Sequence, residues 1–185
     1  NSDLLQEIDY VLKNLSSAVN QTAYFSVLSG GEVLYLLEER VPTPITIQAK
    51  RGYKYPAYAT GIGKALLSGK TEKDIKTLYP EGLYKLTEYT IDDFDTLFSQ
   101  MEATQKSGYS FEKEELNKDV QCIAVPVKYK ENVIAGMSVA VPVFYYSEEF
   151  EKKAMEELKK ARQHIEKLIQ DNTREWVYSP LETEA

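Results

Sequence analysis

The tripeptide Gly61-Ile62-Gly63, followed by Lys64, is the stretch of this 185-residue chain whose residue types most directly suggest chemistry. It opens a helical pattern, and the first backbone N–H groups of a helix have no partner within the helix and sit at the positive end of its dipole. A carboxylate could dock on such amides without an Arg or Lys. The same glycines could instead serve only to bring the helix close to a sheet, and the local sequence leaves both readings open. Lys64 beside two glycines also invites a phosphate-binding reading. That motif needs a glycine five places before Gly63 and a Ser or Thr after the lysine, where this chain has Tyr58 and Ala65. A nucleotide loop is therefore not expected, and no cofactor is expected.

Cys122 and His164 are the single cysteine and the single histidine. One cysteine excludes an intrachain disulfide framework, and with one histidine it leaves too few soft ligands for a structural zinc site. No metal is expected; an all-carboxylate site would have no motif behind it. Cys122 could be a nucleophile or a redox centre, but such a cysteine needs a base or a resolving thiol. No second thiol exists, and His164 falls near the edge of the apolar stripe of the last helix. The other reading of Cys122 is a buried packing residue, since cysteine is among the most buried residue types. The chain is not expected to be an enzyme.

Composition narrows the class. Hydrophobic residues make up 43% and charged residues 28%, with no low-complexity tract. A chain of this length can bury roughly 70% of its unfolded surface, enough for one core. No apolar run approaches the about 18 residues that would span a bilayer, and the start has neither the basic flank nor the apolar stretch of a signal peptide, so a cytoplasmic protein without membrane contact is expected. The formal charge of −7 works against sequence-independent phosphate binding. Asn1-Ser2 running into a helix with no initiating methionine reads as the start of a fragment.

The elements that would position these residues follow from periodicity. Leu4, Ile8, Val11, Leu12, Leu15 and Val19 share one helical face. Residues 22–28 and 33–37 are β-prone runs around Ser29-Gly30-Gly31-Glu32, a hairpin signal, and a third strand is expected at 45–49 after Pro42-Thr43-Pro44. From Thr60 a helix is expected, with Ile62, Ala65 and Leu66 on one face and Gly69 as its C-terminal cap. Thr71 and Asp74 resemble a capping box for a second short helix that Pro80 must end or follow. Phe94, Leu97, Phe98 and Met101 mark a third, closed by Gly108. Residues 109–112, 121–129 and 132–142 read as strands. A long helix runs from Ser147 to Asp171 with Phe150, Ala154, Leu158, Ala161, Ile165 and Leu168 buried, and with Glu148/Lys152, Glu149/Lys153 and Glu156/Lys160 as i,i+4 pairs. The expected class is α+β: a central, mostly antiparallel sheet flanked by helices.

Three stretches together resemble the effector-binding domain of the IclR family of bacterial transcription regulators. They are GYKYPAYATGIGKALLSG at 52–69, GYSFEKEELNKDVQCIAVPV at 108–127 and VIAGMSVAVP at 133–142. They occur in the family's order and at its spacing, across about residues 4–170. The resemblance implies a fold similar to GAF and PAS sensory domains, with a ligand cavity on one face of the sheet. It implies that the amides of Gly61 and Ile62 meet the effector, and that Glu112, Cys122 and Ser138 are pocket residues able to hydrogen-bond a small oxygenated ligand. Val120 would supply an apolar wall. Without that context, Glu112 reads as a solvated glutamate and Ser138 as a satisfied core hydroxyl.

The chain departs from the pattern where the family's serine strand commonly carries a second serine and a glycine; here stand Ala140 and Val141. Tyr58 stands where a histidine is common. A less polar, differently bounded pocket is expected, suited to a larger or more apolar organic acid, such as a sugar acid, an aromatic acid or an acyl compound.

The reading is thus a ligand-sensing module: a helix at 1–20 following an absent DNA-binding domain, an effector-binding body at 21–172 and a tail at 173–185. Its expected partners are a small organic acid, copies of itself as a homodimer or homotetramer, and DNA only through the upstream helix-turn-helix domain. Self-association is expected partly because the first helix has an apolar face to cover. The alternatives are a GAF-like enzyme using Cys122 and a purely structural oligomerisation module.

Overall fold

The computed structural model describes residues 3–181; Asn1 and Ser2 of the expected first helix and residues 182–185 of the expected tail lie outside the described residues. Helix α1 (Asp3–Val19) buries Leu4, Ile8, Val11, Leu12, Leu15 and Val19, the face its periodicity marks out. It lies beside the last helix, α5 (Glu148–Asp171), and both pack on one face of a six-stranded sheet. The apolar face of α1 is therefore covered within the chain, which removes one of the reasons for expecting self-association. Ser147 caps α5 by accepting the Phe150 N–H at 3.0 Å.

The sheet contains β1 (Thr22–Ser29), β2 (Glu32–Glu39), β3 (Lys54–Pro56), β4 (Ser110–Lys113), β5 (Val120–Tyr129) and β6 (Asn132–Pro142). Their order is β3-β2-β1-β6-β5-β4 and every pairing is antiparallel. Two tight hairpins set the register. The turn between β5 and β6 places Lys130 and Glu131 at φ 47° and 69°, the double positive φ of a turn whose twist matches the flanking strands. β5 and β6 lie in the middle of the sheet with helices on both sides, which explains their nearly unbroken apolar runs.

On the opposite face sit α2 (Gly61–Leu67), α3 (Glu72–Leu78) and α4 (Phe94–Ser107). Ile62, Leu66, Ile75, Leu97 and Met101 form the second core with Tyr24, Tyr58 and Ala124. Thr71 caps α3 as expected, and Gly108 closes α4 in the left-handed conformation at φ 82°.

Some expectations are corrected. Residues 45–49 form no strand. Ile47 and Ala49 are buried, but side chains from elsewhere satisfy the backbone here: Asn117 Oδ1 accepts the Gln48 N–H, and the hydroxyls of Tyr55 and Tyr24 donate to the carbonyls of Gln48 and Ala49. The edge strand is β3 instead, three residues too short to show a pattern. Gly69 is not a left-handed cap, since Ser68 ends α2; a Cβ at Gly69 would lie 2.8 Å from the Val133 side chain, so it permits close packing. Ile169, rather than Leu168, completes the fully buried stripe of α5, and Lys160 pairs with Glu157 rather than Glu156. After α5 the chain stays on the body: Trp176 is buried with its ring edge-on to Phe25, and Glu175 accepts the Leu4 N–H.

Candidate functional site

Strand register brings the expected site residues together. Glu112 on β4 pairs with Cys122 on β5, and Cys122 pairs with Ala140 on β6. Residues directly opposite one another point to the same side of a sheet, so these three form a row. Val120 and Ser138 lie two residues along their strands from Cys122 and Ala140, hence on that same face, and Ser138 pairs onward with Tyr24 on β1. The first turn of α2 descends on the row. A Cβ at Gly61 would lie 3.2 Å from the Cys122 Cβ and 3.5 Å from the Glu112 Cβ. Gly61, Ile62, Glu112, Val120, Cys122, Ser138 and Ala140 all line one small cavity.

The two glycines divide the two readings between them. At Gly63 a Cβ would come within 2.0 Å of the Ala57 carbonyl oxygen, so this glycine is required by packing. Its N–H is also taken, because the Thr60 hydroxyl accepts it at 2.8 Å as the helix cap. Gly63 therefore falls out of the expected docking tripeptide, while Gly61 and Ile62, the first-turn residues before it, line the cavity.

The cavity's ionisable groups are held neutral. Glu112 is buried, and burial pushes its carboxyl up to about 8, opposed by the Glu115 N–H it accepts at 3.0 Å and reinforced by the Glu115 carboxylate. At neutral pH it carries its proton and can donate a hydrogen bond, so the solvated-glutamate reading does not hold. Burial raises the Cys122 thiol well above its usual range, and the hydrogen-bonded Glu112 raises it further. Burial likewise raises the phenols of Tyr24 and Tyr35. The lining thus offers two amides, a carboxylic acid, a thiol and a serine hydroxyl set among apolar and aromatic walls, an arrangement that can orient an oxygenated ligand. A thiol this protonated, with the one histidine exposed on α5 across the sheet, lacks the features of an activated nucleophile.

Other lining residues were not anticipated: Tyr24, Tyr35, Ile47, Ala49, Thr60, Leu116 and Asn117. Tyr24 and Tyr35 meet edge to face at 5.1 Å. They lie on the two strands of the expected hairpin, but nothing local marks their face as the one that carries the cavity. Tyr58 does not line the cavity; its hydroxyl donates to the Tyr84 carbonyl and accepts the Tyr84 N–H, each at 3.0 Å. Lys64 is not free for a phosphate: its ammonium is buried against Glu115, 2.7 and 2.9 Å from the two carboxylate oxygens. Among the described residues no group of three or more His, Cys, Asp or Glu side chains is placed to hold a metal ion, and no helix is long and apolar enough to cross a membrane.

Comparison with known proteins places this fold. The KdgR transcriptional regulator of Escherichia coli K12, an HTH-type regulator by name, is 30% identical over 151 residues, which is 80% of this chain and 57% of that one. This chain spans about half the length of the curated relatives it matches. The crystal structure of the C-terminal domain of E. coli KdgR superposes with a TM-score of 0.80 at 26% identity, covering 91% of this chain and 99% of that one. The inducer-binding domain of the Acinetobacter transcription factor PobR, a double mutant solved as a complex with 3-hydroxybenzoic acid, superposes with a TM-score of 0.81 at 24% identity, covering 89% and 98%. The sequence family described as bacterial transcriptional regulator IclR, C-terminal, matches residues 1–167. The chain belongs to the IclR family of bacterial transcriptional regulators and comprises its C-terminal domain.

Proposed function

We propose that this domain senses a small organic carboxylate and transmits its occupancy to a DNA-binding domain preceding residue 1. The helix at 1–20 would carry the connection and residues 21–172 the sensor. The observation that carries the reading is the convergence of Gly61, Ile62, Glu112, Cys122 and Ser138, from one helix and three strands, on a single cavity. The ligand's carboxylate sits against the Gly61 and Ile62 amides. Its oxygenated remainder meets the protonated Glu112, the Cys122 thiol and the Ser138 hydroxyl, and Val120 and Ala140 supply apolar wall. The PobR domain, solved with an aromatic hydroxy acid, supports this class of ligand by analogy of fold. Regulation requires that the ligand bind two arrangements of the full protein with different affinity.

The domain is not an enzyme on this reading, supported by the raised Cys122 thiol and by relatives that are transcription regulators. It acts in the cytoplasm, where its DNA lies. It forms a homodimer or homotetramer, supported by the exposed rings of Phe144 and Tyr145 rather than by α1. Sedimentation at micromolar concentration tests the last point, and a monomer there counts against it.

Thermal melting against a panel of keto, hydroxy, sugar and aromatic acids tests the sensing role. A ligand at 100 times its Kd should add about 2.7 kcal/mol of stability. A panel that leaves the melting point unmoved favours a purely structural module instead.

A further inference from the structure

The cavity is nearly filled by its own lining. Its volume is about 20 Å³, room for about one water, whereas organic ligands occupy pockets of about 300–1,000 Å³. If the cavity is the effector site proposed above, part of its wall must move for the effector to enter.

Apart from Thr60, the N-cap of α2, two segments form the wall that belongs to no strand or helix. One is 45–49, which contributes Ile47 and Ala49; the other is 114–119, which contributes Leu116 and Asn117. The first is tied to the hairpin side of the sheet, through the Tyr24 hydroxyl on the Ala49 carbonyl and the Tyr55 hydroxyl on the Gln48 carbonyl, each at 2.8 Å. The second is fixed on the other side at Glu115. There the carboxylate holds Lys64 of α2, and the carbonyl accepts the hydroxyl of Thr90. Glu114 and Asp119, at the ends of this loop, have left-handed φ of 58° and 67°, a conformation that costs non-glycine residues energy and that a moving loop could release. Between the two segments runs a seam, crossed by the hydrogen bond from the Gln48 N–H to Asn117 Oδ1 at 2.6 Å.

We propose that this seam is the entrance to the cavity and that the Asn117–Gln48 hydrogen bond is its latch. Leu116–Lys118 swings away from 45–49 while Glu115 stays anchored to Lys64. Asn117 is thus a positioning residue: it holds the cover over the half-buried Cys122, and its loss exposes that thiol further without unfolding the core.

Cys122, the one thiol in the chain, reports opening directly. The purified chain is treated with the neutral disulfide 4,4′-dithiodipyridine under native conditions at fixed pH, and release of 4-thiopyridone is followed. Asn117→Ala should speed labelling about three- to tenfold, the loss of one neutral hydrogen bond, with the melting point close to the parent's. Gln48→Pro removes the donor from the other side and should give a similar increase, and the double variant should be no faster than either alone. Gln48→Ala keeps the N–H and should label at the parent rate. Asn117→Ala and Gln48→Pro both labelling at the parent rate overturns the latch, as does a Gln48→Ala rate equal to that of Gln48→Pro. Labelling needs no effector, so this result is distinct from failure of the acid panel.

Discussion

Lys64 and Glu115 form an ion pair inside the protein, with the ammonium 2.7 and 2.9 Å from the two carboxylate oxygens and the lysine side chain 1% exposed. The pair joins α2, whose first turn lines the cavity, to the loop that closes it. Glu115 donates its N–H to Glu112 as well, so one residue ties helix, loop and pocket carboxyl together.

Breaking that pair from one side should be costly. Lys64→Met leaves the Glu115 carboxylate buried without its partner, and about 3–5 kcal/mol of stability should be lost in urea titration. Adding Glu115→Leu removes the stranded charge and should restore most of the loss. If the two single changes simply add, the pair is not coupled in the way its geometry indicates.

Glu112 makes a prediction with a definite sign. Its folded-state pKa, about 8, lies above the 4.5 of an ordinary glutamate. Between these values the folded protein holds a proton that the unfolded chain has released. Its contribution to stability is therefore fully present below about pH 4.5 and is lost as pH rises toward 8. Glu112→Gln cannot titrate, so its stability relative to the parent should climb across this window, by up to about 1.4 kcal/mol per pH unit. A difference that is flat with pH would place an ionised carboxylate in the cavity.

The two glycines of α2 should behave oppositely. Gly63→Ala forces a methyl into the Ala57 carbonyl, and the shift it demands should cost about 1–3 kcal/mol or more. Gly61→Ala meets the Cys122 and Glu112 side chains at 3.2 and 3.5 Å and the Cys122 carbonyl oxygen at an ordinary 3.7 Å. It should keep the stability within about 1 kcal/mol, with the helix-favouring alanine offsetting the contact. Denaturant melts of the two variants read the contrast, and equal losses would contradict it.

Much of this architecture is legible in the residues. The apolar stripes of α1 and α5, the Gly30-Gly31 hairpin and the caps at Thr71 and Gly108 are local signals that the fold keeps. Segment 45–49 misleads because its β-prone residues are buried as a strand's would be, while its backbone partners are side chains such as Asn117, 69 positions from Gln48. The cavity is half legible. Gly61 and Ile62 announce themselves by position at a helix start, whereas Glu112, Cys122 and Ser138 become one site only through cross-strand register, which resemblance to a family supplied and periodicity could not. Tyr24, Tyr35 and the Lys64–Glu115 pair belong to that same long-range pairing and left no local trace.

The most direct measurement is calorimetric titration of the parent, Gly61→Ala and Ser138→Ala proteins with the acid that gives the largest melting shift, 3-hydroxybenzoate among those tried. The parent should bind one acid per chain. Gly61→Ala keeps its N–H, but its methyl projects beside the Cys122 and Glu112 side chains and should push the carboxylate off the helix start. Stretching a charged hydrogen bond worth about 1.5–3 kcal/mol should weaken binding about tenfold or more, and Ser138→Ala should lose only about 1 kcal/mol. Failure of every acid to bind the folded parent, or equal affinity in all three proteins, would contradict the assignment of this cavity as a carboxylate-sensing site.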